Sequence, residues 1–269
     1  MFARTATTRA EAWLMAAEHM QMTHEREYNV VLEILRPGLA TPVSRKIEDK
    51  VDAFLRNFKA QPVHTVAETI FPAAEYLHGG FDAVYAYPES IFPFIKSENK
   101  WGTYALRLTE RKCTNGKKII PLELAIEKLK KRLKDKSTMR AIYELDLGME
   151  ALELKLYETE EDHNNYRGGQ CLSHISLKLG PNRELYMTAV YRYQYYIQKA
   201  LGNFLGLARL QAAIAHEVGI DVGPLVCHAT LAVLEDKQFE QGVGWSRAQV
   251  SDLVESCKGI RDNEIVEAA

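Results

Sequence analysis

The apolar positions of this chain recur first with a helical period. From Arg9 to Val31, Trp13, Leu14, Ala17 and Met20 lie at helical spacing with no Pro or Gly inside, so a single helix is expected there. Arg36 to Pro42 reads as a loop, because Pro37, Gly38 and Pro42 break either regular pattern. Ser44 is placed to cap a second helix with the stripe Ile47, Val51, Phe54 and Leu55, and Phe58 follows a turn later. A third helix is expected from Val66 to Leu77, kinked or started by Pro72, with a turn at His78 to Phe81. Pro88 to Ile95 predicts a short helix, Trp101 to Arg107 is ambiguous in type, and Asn115-Gly116 signals a turn. Leu122, Ile126, Leu129 and Leu133 then form a helical stripe opposite lysines and an arginine.

The second half changes period. Met139 to Leu147 reads as a strand, and Glu150 to His163 alternates in part through Leu152, Leu154 and Leu156. Ile175, Leu177 and Leu179 alternate with Ser176 and Lys178. Gly180 to Arg183 supplies a turn, and Leu185 to Tyr191 returns as the second strand of a hairpin. Tyr195 to Val218 predicts a long, mostly apolar helix that buries Ile197, Leu201, Phe204, Leu205, Ala208, Ala212 and Ala215 and stops at Gly219. Leu225 to Leu234 is almost continuously apolar, as in an interior strand. Trp245 to Cys257 is a last helix, and Asp262 to Ala269 reads as a loosely held acidic tail. Helices first, then strands around a long helix, define an α+β class.

Composition narrows the function classes. Of 269 residues, 46% are hydrophobic and 26% charged, enough for a full core in a globular chain. A net charge of −2 argues against a nucleic-acid grip built on bulk charge, so the basic run Lys128 to Arg132 is read as a solvated helix face. No apolar run approaches the roughly 18 residues of a membrane span. The four cysteines form no CxxC pair, and His19 and His24 do not share a helix face, so no metal is expected. The first twenty residues lack a continuous apolar segment and a cleavage site, so a cytoplasmic setting with free thiols is expected.

Candidate chemistry gathers after Gly168. Cys171 follows Gly168-Gly169-Gln170 and opens a strand, where a thiolate can serve as nucleophile or the residue can pack as a small apolar group. His174 falls on the opposite strand face, which disfavours a Cys–His dyad. Arg192 ends a strand crowded with tyrosines, able to grip phosphate or to stack at the surface. Asn203 sits on the apolar side of the long helix, and its amide can donate and accept at once, toward a base edge or a neighbouring backbone. Glu68, beside Ala67, Ile70 and Phe71, could move protons if it is buried.

Taken in order, these residues resemble the thymidylate synthase and pyrimidine nucleotide hydroxymethylase family, from about Glu33 to Glu235. Cys171 stands at the position of the strand-opening catalytic cysteine, and Arg192 stands at that of the phosphate-binding arginine ending the next strand. Asn203 keeps the family's eleven-residue spacing to the asparagine that reads the base. Ala67-Glu68-Thr-Ile-Phe71 resembles the folate-side glutamate segment, and Trp101-Gly-Thr-Tyr104 the aromatic segment near folate. Thr138-Met-Arg140 resembles the segment whose arginine reaches the partner's phosphate site. The chain departs from the family at Gln170, in place of a proline, and at Tyr195, in place of an aspartate. It departs again at Val233 to Glu235, where a sugar-binding His-x-Tyr would stand.

The resemblance implies one domain over 1–269: peripheral helices in 1–60, a core in 61–236 with a mixed sheet around the long helix, and a helix and tail in 237–269. It implies a homodimer acting on a pyrimidine nucleotide monophosphate, uridine-type because an amide suits the uracil edge, with 5,10-methylenetetrahydrofolate as cofactor. Cys171 would add to C6, Asn203 would stabilise the enolate and Glu68 would move protons. Arg192 and Arg140, with His174 and Tyr195 nearby, would hold the substrate, and Trp101 and Tyr104 the folate. Two alternatives stand beside it: a nucleotide-binding homologue without folate chemistry, and an unrelated thiol enzyme using Cys171.

Overall fold

A computed structural model describes residues 1–23, 25–113, 116–134, 153–156, 170–234 and 244–267. Helix α1 (Arg9–Met22) starts where the pattern places it. The Glu11 N–H donates to the Thr8 side chain at 3.2 Å, and the Glu11 carboxylate accepts from the Thr7 N–H at 2.8 Å. It ends nine residues before Val31. Glu25 adopts φ 67°, a left-handed conformation that stops a helix, and the chain continues as β2 (Arg26–Ile34). Val30, Leu32 and Ile34 are buried on one face of that strand, a period of two that the helical reading of this stretch overlooked. A short strand β1 (Phe2–Ala6), not anticipated from the sequence, lies parallel to β2.

Helix α2 (Pro42–Asn57) is capped by Thr41 rather than Ser44. The Thr41 hydroxyl accepts from the Ser44 N–H at 3.1 Å, and Pro42 fits the first turn because no partner is needed there for its missing N–H. Ile47, Val51 and Leu55 face inward as expected. The expected helix from Val66 to Leu77 is two: α3 (Val63–Glu68) and α4 (Ala73–Tyr85), with Pro72 at the start of the second. α4 is kinked at Gly79-Gly80, where a turn was expected. Two single-turn helices, α5 (Tyr87–Ser90) and α6 (Phe92–Ile95), lead to α7 (Tyr104–Thr109), and a two-residue hairpin of β3 (Arg111–Lys112) and β4 (Lys118–Ile119) leads to α8 (Pro121–Lys134).

Strand β5 (Glu153–Lys155) falls where Leu152 to Leu156 alternate, with Leu154 and Leu156 buried; the expected strand at Met139 to Leu147 lies outside the described residues. The hairpin forms as β6 (Leu172–Leu179) and β7 (Glu184–Tyr191). β8 (Gln194–Tyr195) and a π-type turn (Tyr196–Ala200) run directly into α9 (Leu201–Val218), which ends on Gly219 at φ 76°. β9 (Asp221–Val233) and α10 (Arg247–Glu267) complete the fold. The backbone of α10 continues through most of the tail expected to be loosely held.

Among the described residues the sheet runs β1-β2-β9-β7-β6-β5, with β8 alongside β9. It is mixed: β9 lies antiparallel to β2 but parallel to β7. β9 is therefore interior, as its apolar run requires. α9 packs on the inner face against β7, β9, α1, α3 and α8. Trp13 is fully buried and stacks with Tyr196 at 6.4 Å between ring centroids. Residues 1–60 thus supply two strands and two helices with core side chains, and are not peripheral. The architecture is α+β, a mixed sheet around a long central helix.

Candidate functional site

The α3–α9 contact sets the geometry. A Cβ at Gly202 would stand 2.5 Å from Val66 Cβ and 2.7 Å from the Val63 carbonyl, and one at Gly206 would stand 2.8 Å from the Ala67 carbonyl. The absence of side chains at these positions lets α3 approach the backbone of α9, which brings Val66 beside Asn203. From the other side, β6 delivers Cys171. Its carbonyl accepts from the Arg192 N–H at 2.9 Å, so the start of β6 and the end of β7 lie side by side.

These elements enclose a cavity of about 280 Å³. Gln170 and Cys171 form one wall, and Tyr193, Gln194, Tyr195, Lys199 and Asn203 the next. Gln61, Val66 and Thr69 close the α3 side, and the segment Glu98 to Tyr104 lies opposite. Of the residues singled out in sequence, Cys171, Asn203, Tyr195, Trp101 and Tyr104 converge here. The Gln170 amide, in the proline position, donates to the Trp101 and Gly102 carbonyls at 3.0 Å each and so ties the aromatic segment to the strand that carries the thiol. Tyr104 adds a second tie, accepting at its hydroxyl from the Leu172 N–H at 3.2 Å.

Three expected residues stand apart from the cavity walls. The Glu68 carboxylate accepts from Arg209 of α9 at 2.8 Å, and the same guanidinium reaches His64 Nδ1 at 2.7 Å, so Glu68 is held in an ion pair instead of facing the thiol. His174 pairs with Val190 on the sheet face opposite the buried row Leu172, Ile175 and Leu177. Arg192 is exposed at the cavity's edge, its carbonyl accepting from Thr230 at 2.8 Å, yet its charge acts on Cys171. Arg140 lies outside the described residues.

Burial is the leading influence on the titratable groups of the site. Burial pushes the Cys171 thiol up, and Arg192 and Lys199 draw it back. Burial pushes Lys199 down to about 8, against the opposing pull of Cys171. The Tyr104 hydroxyl is held well above the usual tyrosine range, first by burial and then by Cys171, so it stays a neutral phenol. Asn203 is only 5% exposed and makes no side-chain hydrogen bond among the described residues. The Gln194 Nε2 is likewise buried without a partner. A buried amide nitrogen without a partner is uncommon, and Gln194 lines the cavity together with Asn203, which suits a ligand with its own donors and acceptors.

Lys199, Gln194 and Gln61 were not singled out in the sequence. Lys199 carried a legible signal: a charged residue on the apolar side of the long helix, four positions before Asn203, as helical neighbours are. Trp101 is 48% exposed at the rim beside Lys100, an indole and a cation suited to a flat heterocycle with an anionic tail. Among the described residues no group of three or more His, Cys, Asp or Glu is placed to hold a metal, and no helix is long and apolar enough to cross a membrane. The chain matches no known protein-family model and no curated protein.

Proposed function

We propose that the protein is a thymidylate-synthase-like enzyme that transfers a one-carbon unit to C5 of a pyrimidine nucleotide, with a uridine-type base preferred. The observation that carries this reading is the convergence of the Cys171 thiol and the Asn203 amide in the wall of one cavity. A cavity of about 280 Å³ is close to the lower bound of roughly 300 Å³ for small-molecule sites and suits a mononucleotide.

In this reading the Cys171 sulfur adds to C6, and the electron pair of the C5–C6 double bond moves toward O4. Asn203 donates to O4 and accepts from N3–H, stabilising the charge that develops there. The donor is already in place on the central helix, so little reorganisation accompanies the step. Arg192, at the edge beside Cys171, faces the phosphate, with Arg140 of the partner subunit completing the clamp in a homodimer. Methylenetetrahydrofolate, when bound, supplies the one-carbon unit, and Trp101 and Lys100 on the rim would hold it. Tyr104 stays protonated and keeps the thiol strand in register.

The ion pair of Glu68 with Arg209 favours a second reading, a nucleotide-binding homologue without the one-carbon step, because a proton shuttle needs a carboxylate at the reacting atoms. Tritium release separates the two. C5-tritiated uridine and deoxyuridine monophosphates are incubated with and without methylenetetrahydrofolate. Release that disappears in Cys171→Ser supports the enzyme. No release from either substrate, with nucleotide binding retained in Cys171→Ser, overturns it in favour of the binder.

A further inference from the structure

Lys199 is a half-buried cation on the cavity wall. It lies on the π-type turn that leads into the central helix, one turn before Asn203, and lines the cavity with Cys171. Its Nζ donates to Gln61 Oε1 at 2.5 Å, and among the described residues it has no carboxylate partner. An ammonium held by a neutral amide in place of a counter-ion is expensive to keep out of water. The groups lining this part of the cavity are Cys171 before β6, Tyr104 from α7, Tyr193 from the β7–β8 connection, Tyr195 from β8, and Glu98 and Lys100 from the opposite wall, while Arg192 acts on Cys171 from the edge. Of these, Cys171 is the group whose charge acts on Lys199.

We propose that Lys199 is the proton acceptor of Cys171: as the Sγ–H bond breaks, its proton passes to the amine lone pair, and the freed sulfur pair bonds to an electrophilic carbon of the substrate. On elimination the sulfur–carbon bond breaks, and the ammonium returns the proton to sulfur. That the attacked carbon is C6 of a pyrimidine rests on the function proposed above; the dyad rests on the two side chains sharing one cavity wall and on the charge of each acting on the other. Burial acts on the two groups in opposite senses, lifting the thiol and lowering the amine to about 8. Below that pH both hold their protons. Loss of one proton from the pair gives thiol–amine and thiolate–ammonium forms that interconvert, and the second is the nucleophile. Gln61 keeps the amine in the wall through both.

The test is alkylation of Cys171 in the full-length protein by iodoacetamide, followed on its own peptide by mass spectrometry between about pH 6 and 10. The wild-type rate should rise with an inflection near 8. Lys199→Met should move the inflection up by at least one unit and slow alkylation at pH 7.5 by about tenfold, one unit being tenfold below the inflection. Lys199→Arg, a permanent cation that cannot take up the proton, should not restore the inflection near 8. Lys199→Gln, which can still bond to Gln61, repeats the Met test if Lys199→Met melts early. An inflection that stays near 8 in a folded Met, Gln or Arg variant overturns the dyad. The nucleotide reading fails separately: a shifted alkylation profile with no tritium release keeps the dyad and removes the substrate, whereas tritium release with an unshifted profile does the reverse.

Discussion

The Arg192 N–H donates to the Cys171 carbonyl at 2.9 Å, joining the last residue past one strand to the first before its neighbour. The charge of Arg192 lowers the cost of ionising the Cys171 sulfur. Arg192→Ala should therefore weaken binding of a nucleotide monophosphate by about 1.5–3 kcal/mol, the worth of hydrogen bonds to a charged group. That is roughly 10- to 100-fold in affinity. Calorimetry with the nucleotide and the matching nucleoside checks it. Equal losses for both would mean that Arg192 does not meet the phosphate.

Asn203 gives a prediction about the base. Its amide can donate to O4 and accept from N3–H of uracil, whereas cytosine presents an amine and a bare ring nitrogen. Asn203→Asp should lower affinity for the uridine nucleotide by about 1–3 kcal/mol, the cost of a buried group left unsatisfied, and narrow or reverse the preference over cytidine. Competition binding between the two monophosphates reads the ratio directly. A ratio unchanged by the substitution removes Asn203 from base reading.

The α3–α9 contact can be tested by stability alone. A methyl at Gly202 would meet Val66 at 2.5 Å and backbone at 2.7 Å, so Gly202→Ala should cost about 1–3 kcal/mol of overpacking. Each kcal/mol should lower Tm by roughly 2–4 °C in a chain of this size. Gly259 is the contrast: it is exposed on α10 with open space around its missing Cβ, and Gly259→Ala should stabilise by about 0.5–1 kcal/mol. Thermal melts of the two variants should move in opposite directions.

How much of this was legible in the sequence depended on whether local pattern and tertiary environment agreed. They agree from Leu172 to Val233, where alternation, a Gly-Pro turn, an apolar helix and a Gly stop all describe what forms, and Cys171 and Asn203 were found there. They conflict in residues 9 to 31, because Val30, Leu32 and Ile34 have strand period while the preceding residues have helical period. The switch rests on a left-handed Glu25 that no Gly announces. In the site, residue type showed which side chains could do chemistry but not which way they point. Glu68 is drawn aside by Arg209, far off in sequence, and Gln61 enters through a loop whose position depends on the glycines of α9.

A last prediction concerns acid stability, away from the cavity. His19, in the final turn of α1, meets the Glu27 carboxylate of β2 at 2.7 Å, and its ring stacks on Phe2 at 4.2 Å. The hydrogen bond from His19 holds the Glu27 carboxyl below the usual range, with the N-terminal ammonium adding to it against a smaller effect of burial. A carboxyl lowered on folding stabilises the native state above its unfolded value of about 4.3, and that contribution is lost as pH falls through the folded value. Glu27→Gln keeps the shape and removes the titration. It should be less stable than wild type by about 0.2–1 kcal/mol near pH 6, the range for partly exposed ion pairs. The two should converge as pH falls from about 4.3 through the lower folded value, where the wild-type carboxyl takes up its proton. Urea unfolding of both proteins across this range measures the difference. A gap that stays constant into acid would mean that Glu27 contributes through packing rather than charge.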